Sequence, residues 1–152
     1  MNKVTGLAVA AAVVMGLLVR FTPVLSLSPT IAAVAFAIHF AAGGKVGGLI
    51  KALASLLAGA VWQVLANMLV LAHESALGPY RWALVGIVAF VVIAQSRFAV
   101  LSFIPGGLCG AAMAGHASAL RPDGILVGTA LIVGALAGFV AEAAGAMVGK
   151  KA

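Results

Sequence analysis

The sequence predicts an all-α, polytopic helical membrane protein, a single transmembrane domain over residues 1–152 with about six spans. Three observations carry this reading. Of the 152 residues, 64% are hydrophobic and only 8% are charged, against roughly 25% charged in an ordinary soluble domain. The apolar residues fall in runs of span length, separated by charges, Pro or Gly pairs, and do not show the alternation of a half-buried strand. Each crossing helix takes roughly 20 residues, so this length holds at most about six or seven helices and no soluble domain beside them. An ATP-binding module and a conventional soluble catalytic domain are thereby excluded from this chain.

The first span covers residues 4–20. It follows Met1-Asn2-Lys3 as the core of a signal peptide would, but Arg20-Phe21-Thr22-Pro23 offers no small-residue cleavage site, so it reads as a retained helix. The second span covers residues 24–42, with Ser28-Pro29-Thr30 marking a helix restart, because Pro is tolerated in a first turn whose N–H needs no partner. Gly43-Gly44 then reads as a helix C-terminal cap. The third span covers residues 51–72. The fourth, residues 81–96, is short for a crossing and leads through Arg97 into the fifth, residues 98–120. One long broken helix there, and five spans in all, is the alternative. Pro105-Gly106-Gly107 predicts a break inside the fifth span, since Pro removes a backbone donor and Gly eases departure from helical geometry. The sixth span covers residues 124–149.

Nine Lys and Arg against three acids leave a net charge of +6, but the basic residues stand singly between apolar runs. No basic stripe forms, and nucleic-acid binding is excluded on that ground. Counted on alternate sides of six spans, Lys3, Lys45, Lys51, Arg97, Lys150 and Lys151 share one side, and Arg20, Arg81 and Arg121 the other. The excess places both termini in the cytoplasm of a bacterial inner membrane. Glu74 and Asp123 fall on the poorer side. Cys109 is the only cysteine, so no intrachain disulfide forms, and a small thiol in an apolar run is expected to pack.

Two short internal matches suggest a weak inverted three-plus-three repeat, the arrangement of several channel and transporter folds. Residues 40–47 resemble 103–110, and residues 57–63 resemble 136–142. They imply different shifts between the halves, so both hold only if about one short helix was inserted. In a chain this rich in Ala, Gly, Leu and Val, chance matches are the background.

No nucleophile motif, phosphate loop or metal signature is present, and His39, His73 and His116 lie far apart without i, i+4 pairing. The expectation is a protein that is no enzyme, with neither metal nor cofactor. His73 reads as interfacial beside Glu74; His39 and His116 read as interfacial before path-lining. Ser55, Gly59, Gln63 and Asn67 recur every four residues and give the third span a polar line that should avoid lipid. Glu142 stands about one turn or more inside a predicted helix end, where a carboxylate must pair, protonate or reach water; Lys45, Lys51 and Arg97 are its cationic candidates. A freed backbone inside a membrane must face protein or water, so Pro105, Gly106 and Gly107 mark either a solute path or a packed kink. Gln63, Asn67, Pro105, Gly106, Gly107, Glu142 and His39 together form the candidate solute path. Gly134-x-x-x-Gly138 and Gly145-x-x-x-Gly149 permit close helix packing, and this surplus of glycine faces points to a homo-oligomer.

Gly43-Gly44-x-x-Gly47, Lys51-Ala52 and Leu56-Leu57-x-Gly59-x-Val61-Trp62, followed by Gly86-Ile87-Val88-Ala89-Phe90, Gln95, Leu101-Ser102-Phe103-x-Pro105-Gly106 and Gly110-Ala111, resemble a family of small bacterial inner-membrane proteins typified by YcdZ. The blocks span residues 40–112; the ends share only generic hydrophobicity. The family is a domain of unknown function, so the resemblance implies a bacterial inner-membrane protein with several spans and assigns no substrate, cofactor or site residue. Broken apolar spans, intramembrane amides, little charge and no energy-coupling domain suit a channel or facilitator for a small neutral polar solute. A proton-coupled secondary transporter using Glu142 and a noncatalytic membrane subunit or assembly factor are the rivals. Membrane lipid is the partner that any of these shares.

Overall fold

Each apolar run folds as a helix, because a helix satisfies its own backbone hydrogen bonds without water. The computed structural model describes residues 2–120 and 124–149, and no strand occurs among them. Helix α1 (Lys3–Phe21) is capped by the Asn2 side chain and ends in a 3-10 turn through Pro23. Helix α2 (Pro29–Ala41) begins at the anticipated restart, with Ser28 Oγ accepting from Ile31 N and Pro29 in the first turn. Gly43 (φ +99°) and Gly44 (φ +63°) reverse the chain into α3 (Lys45–Ala72), in the left-handed region that glycine enters without steric cost. A single turn, α4 (Glu74–Leu77), leads to α5 (Arg81–Ala94). Two 3-10 turns follow, and then α6 (Ile104–Leu120) and α7 (Gly124–Gly149).

Among the described residues, four segments are long and apolar enough to cross a membrane: Lys3–Leu25, Lys45–Ala72, Glu74–Arg97 and Gly124–Gly149. At 1.5 Å per residue, the 13 residues of α2 reach only about 20 Å, less than a hydrocarbon core. The fourth and fifth spans are separate helices, as expected, and not the alternative of one broken helix, because residues 95–103 leave α-helical geometry. One expectation needs correction. The break precedes Pro105-Gly106-Gly107 and does not fall on it: Pro105 occupies the first turn of α6, where its missing N–H costs nothing.

The helices alternate in direction, as their close approaches show. Gly6 of α1 meets Gly145 and Gly149 of α7, an antiparallel contact. Ala32, Phe36 and His39 of α2 meet Gly134 and Gly138 of α7 in parallel, and Ser55, Leu56 and Gly59 of α3 meet Gly106, Gly107 and Gly110 of α6 in parallel. Lys3 and Gly149 therefore lie side by side at one end of the bundle, together with Lys45. Arg20 and Arg81 lie at the other end. Arg121, Asp123, Lys150 and Lys151, which enter the charge count, lie outside the described residues.

The packing repeats. α2 lies on α7 as α6 lies on α3, and α1 lies on α7 as α5 lies on α3. A constant shift, the one that carries residue 32 to 107 and 59 to 134, relates the contacts: the Gly59 Cα faces the Gly107 carbonyl, and the Gly134 Cα faces the Ala32 carbonyl. Under this shift the buried Ala52, Ser55, Leu56, Gly59, Ala60, Gln63 and Val70 of α3 become the buried Val127, Ala130, Leu131, Gly134, Ala135, Gly138 and Gly145 of α7. Three helices per half make the relation inverted. Neither short sequence match gives this register, since both align residues that occupy different places in the two halves.

The interior is built from small side chains, with Ala32, Ala35, Ala52, Ala114, Ala130 and Ala135 wholly or almost wholly buried. Large apolar side chains point outward, among them Val13, Leu65, Phe90 and Ile125. This inverts the pattern of a soluble domain and matches a bundle solvated by lipid, where close backbone packing replaces the hydrophobic effect between helices.

Candidate functional site

Two polar clusters lie inside the bundle, one towards each end, and the shift between the halves relates them. The first is built on α7. Glu142 projects from α7 onto the start of α3, where Gly44 is the N-cap residue and has no side chain to serve the free N–H groups. Glu142 Oε2 accepts from Lys45 N at 2.6 Å and thus caps α3 from another helix. A methyl on Gly44 would stand 2.7 Å from Glu142 Oε1 and push the carboxylate aside, and at φ +63° any other side chain is strained as well. The same Oε2 lies 2.9 Å from His39 Nε2. His39 is 0% exposed, held edge-on by Phe40 and Phe139, while the Glu142 side chain is 28% exposed. In the tautomer that donates from Nε2, Nδ1 is a buried lone-pair nitrogen that meets no partner among the described residues.

This corrects two expectations. His39 is not interfacial but fully buried, because the small Gly138 lets its ring pass between α2 and α7. Glu142 does not use a Lys or Arg side chain among the described residues; a backbone N–H and an imidazole serve it instead.

The second cluster is built on α3. Gln63 is 7% exposed and donates from Nε2 to Asn67 Oδ1 at 3.0 Å, one helical turn on. Asn67 Nδ2 and Ser55 Oγ are buried without a partner among the described residues. The Ser55, Gly59, Gln63 and Asn67 line faces inward against α6, but its two ends differ. Around Gly59 the helices touch backbone to backbone and the seam is closed. At Gln63 and Asn67 it opens into a cavity of about 310 Å³ between α3, α5 and α6, also lined by Ala66, Val70, Leu84, Val85, Gly115 and Arg81.

The remaining candidates are dispersed. Gly106 packs under Phe103 and Ser55, Gly107 under Val92 and against Gly59, and Pro105 is exposed beside them. His116 is exposed on α6. His73 is exposed at the end of α3, and its neighbour Glu74 pairs with Arg81 at 3.3 Å. Arg81 and Gly115 were not singled out from the sequence, and no local signal marks them, since their role comes from the meeting of three helices. Trp62 Nε1 donates to Gln95 Oε1 at 2.9 Å, joining α3 to the end of α5.

A family model described as "Protein of unknown function (DUF1097)" matches residues 8–146. The chain belongs to this family. "Uncharacterized protein YahC" of Escherichia coli (strain K12) is 42% identical over 85 residues, 53% of this chain and 52% of that protein. "Inner membrane protein YcdZ" of Salmonella typhimurium is 44% identical over 73 residues, 45% of this chain and 42% of that protein. The matches thus span about half the length of these relatives. No solved structure matches. The apolar helices and the inner-membrane relative identify this member of the DUF1097 family as a membrane protein of the inner membrane.

Proposed function

We propose that this DUF1097 member passes a small polar solute across the inner membrane. The observation that carries the reading is the placement of uncharged amide groups, Gln63 and Asn67, on the wall of a half-open cavity at one end of an otherwise apolar helix bundle. Amides away from water cost free energy unless they are paired, and Asn67 keeps an amide nitrogen unpaired. The inverted relation of the halves gives the bundle a second polar cluster, His39 with Glu142, towards its opposite end. Passage between them requires α6 to part from α3 at Gly59 and Gly107, the contact that closes the seam in this conformation.

In this reading the chain crosses the membrane six times, with α2 and α6 as short crossings and both termini cytoplasmic. It self-associates through outer faces where glycines such as Gly16 and Gly86 leave open space. Flux of a small amide into proteoliposomes, with and without a proton gradient, is the test. Gradient-independent flux supports a facilitator. Gradient-dependent flux that Glu142→Gln abolishes supports the proton-coupled reading, which the buried His39–Glu142 contact favours. Absence of flux in both conditions makes the chain a noncatalytic subunit or assembly factor.

A further inference from the structure

The two halves share a backbone plan but differ in side chains at the places that decide whether a cavity exists. In the closed half, the His39 ring and Phe40 fill the space beside Glu142, and Gly145 lets α1 approach α7 until a methyl on Gly145 would stand 2.7 Å from Leu7 Cα. The counterparts in the other half are Ala114 for His39, Gly115 for Phe40, Asn67 for Glu142 and Val70 for Gly145. Val70 puts a branched side chain where Gly145 has none, Gly115 supplies no ring where Phe40 has one, and Gln63 stands in place of Gly138 and lays its amide on the cavity wall. The opening is therefore written into the side chains, and Asn67 is left with a buried nitrogen at the level where Glu142 meets an imidazole.

We infer that the cavity between α3, α5 and α6 binds a small, neutral molecule with a hydrogen-bond acceptor, seated against Gln63 and Gly115 and held by the Asn67 amide. Size and charge agree. A volume of about 310 Å³ stands at the lower limit of small-molecule sites, which run from roughly 300 Å³. Beside Gly115, which carries no side chain, the amide of Gln63 lies against the cavity wall. Ala66, Val70, Leu84 and Val85 offer an ion no counter-charge, and the charge of Arg81 is met by Glu74. An acceptor on the ligand would also satisfy Asn67 Nδ2, which is otherwise buried without a partner among the described residues.

The inference takes its biological ligand from the solute-passage reading, but binding can be measured without passage. The full chain in lipid nanodiscs is titrated with imidazole kept neutral at pH 9, with acetamide and with acetate, and followed by saturation-transfer NMR. Imidazole and acetamide are expected to bind and acetate to bind at least tenfold more weakly. Asn67→Leu and Gly115→Phe are each expected to weaken binding at least tenfold; the second restores the ring that Phe40 provides in the other half. Leu84→Phe, which narrows the cavity from α5, is read in place of either variant that fails to fold. Preference for acetate, or binding unchanged in folded variants, overturns the site. Binding that the variants abolish, in a protein that shows no flux, upholds the site and sinks the passage reading. Wild-type flux that Gly115→Phe leaves intact sinks the site alone.

Discussion

Glu142 is the residue at which local sequence and tertiary structure divide the explanation most clearly. That a carboxylate within an apolar helix must find partners follows from the cost of burying charge. Which partners it finds does not, since His39 stands 103 positions away and the N–H belongs to a backbone that carries no residue-type signal. Replacing Glu142 by Leu strands two donors, His39 Nε2–H and Lys45 N–H, at roughly 1–3 kcal/mol each. Glu142→Leu is therefore expected to lower the unfolding free energy in mixed micelles by about 2–6 kcal/mol. Glu142→Gln keeps an acceptor oxygen and should lose clearly less. Equal losses would show that the charge, and not the cap, is what α3 requires. Gln63 and Asn67 were legible as an inward face from their spacing alone, but Gly115 and Arg81 were not, because a cavity wall drawn from three helices has no periodicity in any one of them.

At the scale of elements, the spans were legible because lipid imposes a length and a composition on them. The boundary of α6 was not, since Pro105-Gly106-Gly107 is chemically fit both for a kink and for a first turn, and only the 3-10 turns before it decide the matter. Glycine spacing likewise marked helix faces without saying which helix each would meet. The contacts now separate the glycines into two kinds with opposite expected responses. A methyl added at Gly59 or Gly134 collides with a backbone carbonyl of the neighbouring helix. Gly59→Ala and Gly134→Ala should each destabilise by about 1–3 kcal/mol, because backbone must move to make room. Gly47→Ala meets nothing within 4 Å and should be neutral or stabilise by up to roughly 1 kcal/mol, since alanine favours the helix. Thermal unfolding of the three variants in one detergent is sufficient to check the order.

For the whole molecule, the adjacency of Lys3 and Gly149 requires that the described chain begin and end at the same face. Reporter fusions at Lys3 and Lys151 are expected to give cytoplasmic signals at both positions, following the Lys and Arg excess. A periplasmic signal at either would reverse or break the topology. Self-association is expected as a mass above one protomer in native lipid, and a monomer there counts against it. The register of the inverted repeat was not legible, because the short sequence matches between the halves align at other shifts, whereas the burial pattern aligns at one. Leu56 and Leu131 are both fully buried, yet their flanking residues differ. That repeat also interlocks the halves: α2 rests on α7, and α6 rests on α3. As the chain emerges from the ribosome, α1 and α2 enter the membrane without the helix that both pack against, and the start of α3 lacks its carboxylate. Helices α1 and α2 touch one another but lack their main support until α7 arrives, whereas α6 can already pack on α3. Completion of this small bundle is thus a late, long-range event, and in a nascent chain halted before residue 124 α1 and α2 should remain protease-sensitive while α3 and α6 are packed.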